Sequence, residues 1–370
     1  MAAQEPVSSE SIDQDNRLPT NLTDFEGEIP NHCSTGPLLS RSPIWDVKWL
    51  NENEIGIVHD DCLLEILSTS GEILQTFSGD GHGCEIIAGT PSLIHVSEHV
   101  GGVDWHEDHK STIYRLEDGK LTEGRTFIGS HTISRDSHGR ILARRDRSGA
   151  GPDAKVFDHL FSDEKWTPLN LGRYDVFNHY VKIDSAPSLF FVQDDIPDRN
   201  PYKDLMARSK KWLCMMQVDG TITRLSWILK GNKTHASTAL ECTYTYFEDG
   251  NKEAIIAAGR HYSPDPRQPA YGFIYCRNIG RKKDLWRHPT TASPTVIRYV
   301  SKRDIVVAFF LDGNQMVIEA KTGEILRQKK FTVNGMPTVI CSCDVLGSDL
   351  VIGTMDGRVA IADVDEIAAL

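Results

Sequence analysis

The chain has 370 residues, a formal net charge of −12 and 39% apolar residues, a composition typical of a globular protein with a large core. This composition excludes disorder throughout the chain. The acidic balance also argues against a nucleic-acid partner, because phosphate binding requires a concentrated basic surface.

The N-terminal residues 1–17 carry Ser, Glu, Asp and Gln without an apolar run or a basic start. They are predicted to form a disordered tail rather than a secretory signal, and residues 18–370 to form one domain. Eight cysteines are spread thinly along the chain, which predicts reduced, mostly buried thiols. Since no stretch approaches the length of about 18 apolar residues that a membrane span needs, we expect a cytoplasmic protein without membrane contact.

A short glycine turn followed by an apolar strand recurs along the chain. The stretch Thr69–Phe77, TSGEILQTF, shares its Gly-Glu-Ile-Leu core with Lys321–Phe331, KTGEILRQKKF. The turn glycines are separated by 48, 101 and 103 residues, which predicts a repeat of about fifty residues. These glycines, for which we expect positive φ, are Gly71, Gly119, Gly220 and Gly323.

Each repeat contains four short runs of β-branched and aromatic residues separated by polar turns. In the first repeat these runs are IWDVKWL, EIGIVHD, LLEILST and ILQTF. Four strands per repeat of this length predict an all-β, seven-bladed β-propeller, with a pair of stacked β-sandwich domains as the alternative. The blades are predicted to begin near residues 42, 84, 131, 178, 237, 293 and 336.

The last repeat reaches the final residue, Leu370, after three strands. The unassigned stretch Leu22–Ile29, LTDFEGEI, is therefore predicted to supply its fourth, outermost strand. Such a strand would close the propeller through the N-terminus and remove an open sheet edge.

The connections between second and third strands differ in length along the chain. Blades one, six and seven have short turns, whereas blades two to five have long connections at 99–110, 145–154, 193–210 and 261–272. Long loops on a rigid scaffold often carry function, although disordered decoration is the alternative. Aromatic residues beside charges suit a surface that binds a protein or peptide. The candidate partner-binding residues are Trp105, Asp108, Tyr202, Tyr262 and Tyr271.

Three histidines, His82, His131 and His179, occupy comparable positions near the innermost strands of three consecutive blades. They are candidates for a catalytic metal site at the channel mouth. Arg260 and His261, which end a second strand of blade five, are further catalytic candidates. The favoured alternative is that each histidine braces its own blade through hydrogen bonds, and on that interpretation the chain needs neither metal nor cofactor.

The repeat pattern resembles the WD40-like and quinoprotein-like β-propeller superfamily over about residues 22–370. Gly81-His82 fits the Gly-His pair that precedes the innermost strand of a WD40 repeat, and His131 and His179 are looser equivalents. No Trp-Asp pair ends a third strand, because Trp45-Asp46 lies on an innermost strand. The resemblance therefore implies the fold but no subfamily.

Two functions remain open at this point. The first is a non-catalytic scaffold that binds a protein or peptide through the long loops of blades two to five. The second is an enzyme of lyase or hydrolase type that binds a small molecule at the channel mouth. Since the sequence contains no motif for nucleophilic catalysis, zinc proteolysis or phosphate binding, we favour the scaffold.

Overall fold

The computed structural model describes a large part of the chain. The described residues are 22–26, 42–60, 62–78, 81–87, 89, 91–99, 109–117, 119–129, 131–135, 140–145, 158–162, 165–169, 180–183, 189–193, 210–217, 221–230, 238–247, 252–261, 272–333 and 335–369. Within these ranges the chain forms seven antiparallel sheets and one short helix, so the expected all-β class is confirmed.

The strands of the first three sheets follow β1 (Leu22–Phe25) along the chain. Sheet one contains β2 (Ile44–Asn51), β3 (Glu54–His59), β4 (Leu64–Ser68) and β5 (Ile73–Phe77). Sheet two contains β6 (Gly81–Ile87), β7 (Ser92–His99), β8 (His109–Glu117) and β9 (Lys120–Ile128). Sheet three contains β10 (His131–Arg135), β11 (Ile141–Arg145), β12 (Asp158–Ser162) and β13 (Lys165–Leu169).

The remaining sheets continue in the same order. Sheet four contains β14 (Tyr180–Lys182), β15 (Leu189–Gln193), β16 (Lys210–Met216) and β17 (Ile222–Lys230). Sheet five contains β18 (Thr238–Phe247), β19 (Lys252–His261), β20 (Gly272–Asn278) and β21 (Trp286–Thr290). Sheet six contains β22 (Pro294–Val300), β23 (Ile305–Phe310), β24 (Gln315–Glu319), β25 (Ile325–Val333) and the short β26 (Met336–Pro337). Sheet seven contains β27 (Ile340–Leu346), β28 (Asp349–Thr354) and β29 (Val359–Asp363), which the helix α1 (Val364–Ala369) follows.

The first strands of the seven sheets begin at residues 44, 81, 131, 180, 238, 294 and 340. The blade starts expected from the sequence were 42, 84, 131, 178, 237, 293 and 336. Within each sheet, apart from the added strands β1 and β26, strands adjacent in the chain are adjacent in space. The chain as a whole divides into two compact units, the first made of Met1–Gly129, Val300–Ile318 and Ile325–Leu370, and the second of Ser130–Tyr299 and Glu319–Glu324.

Three apolar clusters lie between sheets of the same compact unit. The middle strand β23, IVVAFF, is buried at all six positions. Its sequence is apolar throughout because both faces of the strand are covered. One cluster joins sheets one and seven through Ile44, Val47, Ile55, Ile57, Leu67, Val351 and Val359. A second joins sheets one and two through Val58, Leu64, Ile66, Phe77, Ile86, Ile94, Val96 and Tyr114. A third joins sheets four and five through Leu189, Leu213, Cys242, Ile255, Ala257, Phe273 and Tyr275.

The two Gly-Glu-Ile-Leu stretches form the same hairpin in sheets one and six, as the sequence predicts. Gly71 lies between the third and fourth strands of sheet one with φ of 89°, and Gly323 lies at the corresponding turn of sheet six with φ of 80°. Gly119, in the equivalent turn of sheet two, has φ of 68°. These three predictions are confirmed, whereas Gly220 lies outside the described residues.

The N-terminal strand does not pair where the sequence predicts. Instead of completing sheet seven, β1 pairs antiparallel with the outer strand of sheet six, with Leu22 opposite Val333 and Phe25 opposite Lys330. The prediction of a fourth strand for sheet seven from Leu22–Ile29 is therefore wrong for the described residues 22–25. It rested on counting strands and took no account of the ion pairs that hold the strand on sheet six.

Two further sequence expectations concern bulk properties. The seven described cysteines form no disulfide with one another, and all are buried or partly buried, which confirms the expected burial for those residues. Among the described residues, no helix has both the length and the apolar character that crossing a bilayer requires.

Candidate functional site

The connections between second and third strands form the candidate site, and the strand bounds fix their lengths. Three of them are four-residue turns, and four are much longer. The four-residue turns of sheets one, six and seven are 60–63, 311–314 and 355–358. The long connections of sheets two to five are 100–108, 146–157, 194–209 and 262–271. The difference in length predicted from the sequence is thus confirmed.

The three short turns share a closing hydrogen bond and a positive φ at the third residue. In each, the residue before the turn donates its N–H to the carbonyl oxygen of the last turn residue. These bonds join His59 to Leu63 at 2.9 Å, Phe310 to Asn314 at 3.0 Å, and Thr354 to Arg358 at 3.0 Å. The third turn residue has positive φ in each case: 60° at Cys62, 78° at Gly313 and 80° at Gly357. Such a tight turn reverses the chain within four residues and adds little surface.

The strands that flank the long connections are paired close to the point where each connection begins. His99 pairs with His109 in sheet two, and Arg260 pairs with Gly272 in sheet five. Gln193 pairs with Lys211 in sheet four. Both ends of each of these connections therefore start from hydrogen-bonded sheet. The predicted partner-binding residues within the connections, Trp105, Asp108, Tyr202, Tyr262 and Tyr271, lie outside the described residues.

An exposed aromatic residue, Trp45, lies beside the short turn of sheet one. Its side chain is 51% exposed, and its indole N–H donates to the carboxylate of Asp60 in the turn. A β-bulge between Ile44 and Asp46 leaves Trp45 unpaired and turns it outward. Sequence reasoning did not select Trp45 as a binding residue, and regular strand alternation would place it on the same face as the buried Val47. The bulge is the feature that the sequence pattern does not reveal.

Charged side chains join the first strands of sheets seven, one and two. Asp46 Oδ2 accepts a hydrogen bond from the backbone N–H of Ile86 at 2.9 Å, and Asp344 Oδ2 accepts one from Trp49 at 3.0 Å. Lys48 Nζ lies 3.9 Å from a carboxylate oxygen of each aspartate. Because each carboxylate holds a backbone N–H of the next sheet and shares one ammonium, the arrangement braces the sheets together.

Two thiols near these strands have pKa values raised by burial. Burial is the main cause that raises the pKa of the Cys84 thiol far above its usual range, and nearby Cys62, Asp46 and Glu85 add to the effect. Cys341 is partly exposed as a residue, yet its thiol is enclosed, which raises its pKa to about 12. Since the thiolate is the reactive species, neither side chain is suited to act as a nucleophile.

Two of the three histidines selected from the sequence lie on described strands. His82 is the second residue of β6, and His131 is the first residue of β10, but their side chains lie outside the described part. His179 precedes β14 and is not among the described residues. Arg260 and His261 end β19, and nothing is described of their side chains. The predicted catalytic and metal site therefore stays a prediction.

Histidines that are described do brace neighbouring strands. His59 Nε2 lies 3.0 Å from Glu65 Oε2, and His95 Nδ1 lies 3.3 Å from Glu85 Oε1. Both pairs join adjacent strands of one sheet, whereas the bracing role expected for His82, His131 and His179 stays a prediction. Within the described ranges, no three His, Cys, Asp or Glu side chains converge in a way that could hold a metal ion.

Comparisons with known proteins bear on the fold alone. No protein-family model matches the chain, and no curated protein matches it. Among solved structures, it is similar to the crystal structure of the computationally designed Ika8 protein, with a TM-score of 0.52 and 12% sequence identity. The similarity covers 89% of this chain and 98% of that one. At this identity it shows a shared fold over most of the chain and indicates no function.

Proposed function

We propose that this chain is a non-catalytic scaffold that binds a protein or peptide through the long connections of sheets two to five. In this proposal the seven sheets are the blades of a propeller of the WD40-like type. The consecutive order of the sheets and the apolar clusters between successive faces support that architecture.

The observation that carries the proposal is the contrast between connections at the same place in each sheet. Sheets one, six and seven reverse in four residues, whereas the connections of sheets two to five span 100–108, 146–157, 194–209 and 262–271. A chain that only had to reverse would need no more than the short turn. Extra length on connections that begin from paired strands is typical of binding loops.

The composition of the connections indicates the kind of partner. They contain aromatic residues, Trp105, Tyr202, Tyr262 and Tyr271, together with Asp108 and other acidic residues. Tryptophan and tyrosine are enriched among the few residues that dominate binding energy at protein interfaces, and acidic neighbours favour a partner with a basic face. The exposed Trp45 adds an indole beside the short turn of sheet one.

The alternative is an enzyme of lyase or hydrolase type acting near His82, His131 and His179. No observation on the described residues favours it. Elemental analysis of the purified protein tests it directly, because a stoichiometric transition metal would point to this function.

The experiment for the scaffold compares the wild-type chain with a Trp105→Ala, Tyr262→Ala double variant as immobilised bait. The partner captured by the wild type is then purified, and its affinity for each chain is measured. Two anchor residues lost together should weaken binding by roughly 100-fold or more, with an unchanged melting temperature. Leu285→Ala is the matched control, since Leu285 is an exposed apolar residue, 47% accessible, in the last hairpin of sheet five. Equal affinity of all three chains would contradict the proposal.

A further inference from the structure

The outer strand of sheet six carries a buried arginine that contacts both ends of the described chain. The Arg327 side chain is only 5% exposed. One of its terminal nitrogens donates to the carbonyl oxygen of Ile367 in α1 at 2.8 Å, and the other donates to the carboxylate of Asp24 in β1. Burial lowers the pKa of Arg327. A guanidinium in such surroundings requires a compensating negative charge, because an unpaired buried charge is strongly destabilising.

That negative charge comes from a strand of four residues, Leu22–Phe25. Lys329 Nζ lies 2.6 Å from the second carboxylate oxygen of Asp24, so two cations on β25 face one acid. On the opposite face of the strand, the hydroxyl groups of Thr23 and Thr332 are 2.7 Å apart. Successive residues of a strand point to opposite faces. A hydroxyl residue followed by an acid therefore places the hydroxyl beside Thr332 and the acid beside the two cations.

The strand is held in a way that permits exchange. Its pairing covers only residues 330–333 of β25, and a pairing of this length is weak by itself. The Asp24 side chain is 30% exposed and Lys329 is 44% exposed, so a competing carboxylate can reach the same cations. The Nε atom of Arg327 is buried and has no hydrogen-bond partner among the described residues. A carboxylate that bonded this third donor as well would bind more tightly than Asp24 does.

We propose that the outer edge of β25 is a strand-addition site for an extended peptide in which a hydroxyl residue is directly followed by an acidic residue. Residues 22–25 of the chain occupy this site as an internal ligand. Backbone pairing with 330–333 supplies affinity, and the Arg327 and Lys329 cations select the acid. The site is independent of the proposed function, since it lies on an outer sheet edge and not on the connections between second and third strands.

The test uses the full chain and a fluorescein-labelled peptide with the sequence of residues 20–27, TNLTDFEG. Fluorescence anisotropy measures its binding to the wild type and to an Asp24→Asn chain. Weakening the internal ligand frees the edge, so the Asp24→Asn chain should bind the peptide at least about 10-fold more tightly than the wild type. The same peptide with Asn in place of its Asp should bind that chain at least about 10-fold more weakly.

An Asp365→Asn chain is the matched control. It breaks the ion pair of Asp365 with Arg303, whose partners are 51% and 52% exposed, and leaves the β25 edge intact. This chain should bind the labelled peptide as the wild type does. The proposal is overturned if the Asp24→Asn and Asp365→Asn chains bind equally, or if the Asn peptide binds as well as the Asp peptide. A concentration-dependent dimer, seen by light scattering, would assign the edge to a second copy of the chain and overturn the proposal as well.

If the Asp24→Asn chain fails to fold, hydrogen exchange on the wild type tests the proposal instead. Excess peptide should speed amide exchange at residues 22–25, because they are displaced, while residues 330–333 remain protected by the incoming strand. Unchanged protection of 22–25 at saturating peptide would show that the edge does not exchange.

Discussion

The carboxylate of Asp344 on β27 accepts a hydrogen bond from the backbone N–H of Trp49 on β2, over 3.0 Å. This contact joins the first strand of sheet seven to the first strand of sheet one, although the two residues are 295 positions apart in the sequence. It also places Asp344 within 3.9 Å of Lys48, which Asp46 approaches equally closely.

Replacing Asp344 by Ala should lower the free energy of unfolding by about 1–3 kcal/mol. The substitution leaves the Trp49 N–H without its acceptor and leaves Lys48 with one carboxylate instead of two. Urea denaturation measures the effect. Asp349→Ala is the control, because Asp349 is an exposed residue on the neighbouring strand β28. Equal costs for the two substitutions would show that the contact does not stabilise the junction of the sheets.

Gly323→Ala should be much more destabilising than Gly280→Ala. Both glycines have positive φ, 80° and 78°, so each substitution carries the same backbone strain, about 1 kcal/mol. A Cβ at Gly323 would also lie 2.3 Å from Cγ of Trp286, whereas nothing lies within 4 Å at Gly280. The Trp286 indole is held by a 2.8 Å hydrogen bond to the Ala320 carbonyl oxygen and cannot easily move aside. We expect roughly 2 kcal/mol or more of additional cost from this overlap.

The two glycine variants are compared by their midpoints in urea, with Lys321→Ala as an exposed substitution in the same hairpin. If Gly323→Ala and Gly280→Ala cost the same, the packing of Trp286 against the turn is not tight. If Gly323→Ala lowers the free energy of unfolding no more than Lys321→Ala does, Gly323 does not require a positive φ either.

Asp24→Asn should destabilise the chain more than Arg303→Gln does. Asp24 neutralises Arg327, whose side chain is 5% exposed, so its loss should cost about 1–3 kcal/mol. The pair of Arg303 and Asp365 is about half exposed on both sides, and such pairs contribute about 0–1 kcal/mol. Thermal melts of both variants at the same salt concentration measure the difference. Equal melting temperatures would mean that the ion pair of Asp24 with Arg327 stabilises the chain no more than an exposed pair does.

Truncation separates the strand from the residues before it. Removal of residues 1–17 should leave the melting temperature unchanged, whereas removal of residues 1–26 should lower it, because the second deletion takes away Asp24 and the pairing with 330–333. The same melting temperature for both truncated chains would contradict the observed role of β1.

The Cys341 thiol should be protected from alkylation in the folded chain. Its pKa is raised to about 12 from an ordinary value of 9.0, so almost no thiolate is present at pH 8. Mass spectrometry after iodoacetamide treatment should show slow modification in the native chain and full modification in urea. Rapid labelling of native Cys341 would contradict an enclosed thiol.

The same shift gives a dependence of stability on pH. A raised pKa in the folded state means that the neutral thiol is favoured, so its contribution to stability is present below pH 9 and is lost as the pH rises toward 12. A Cys341→Ser chain should therefore lose less unfolding free energy than the wild type between pH 8 and 11. Parallel pH profiles would show that the pKa of the Cys341 thiol is the same in the folded and the unfolded chain.

Local signals in the sequence account for the features that were predicted correctly. Gly71 and Gly323 could be identified because a tight turn that requires positive φ selects glycine, whatever the rest of the fold does. The all-β class could be predicted because short β-branched runs are separated by turn residues along the chain. The lengths of the connections between second and third strands then followed from where those runs begin and end.

Features that depend on distant contacts could not be predicted in the same way. The position of β1 depends on Asp24 meeting Arg327 and Lys329, about three hundred residues further along the chain. The exposure of Trp45 depends on a bulge that its own sequence does not signal. For β1, a tertiary contact decides the position of the strand, and a count of strands does not reveal that contact. For Trp45, a shift in register decides the exposure, and the alternation of residues does not reveal that shift.

The most direct test of the proposed function shortens one long connection. Residues 194–209 of sheet four are replaced by the tetrapeptide Leu-Asp-Gly-Asn of 311–314, and the control chain carries the exposed substitution Leu285→Ala instead. Isothermal titration then measures the affinity of each chain for the partner captured by the wild type. We predict a loss of roughly 100-fold or more for the shortened connection, with wild-type affinity for the control and unchanged melting temperatures for both. Wild-type affinity in the chain that lacks 194–209 would contradict the assignment of partner binding to this connection.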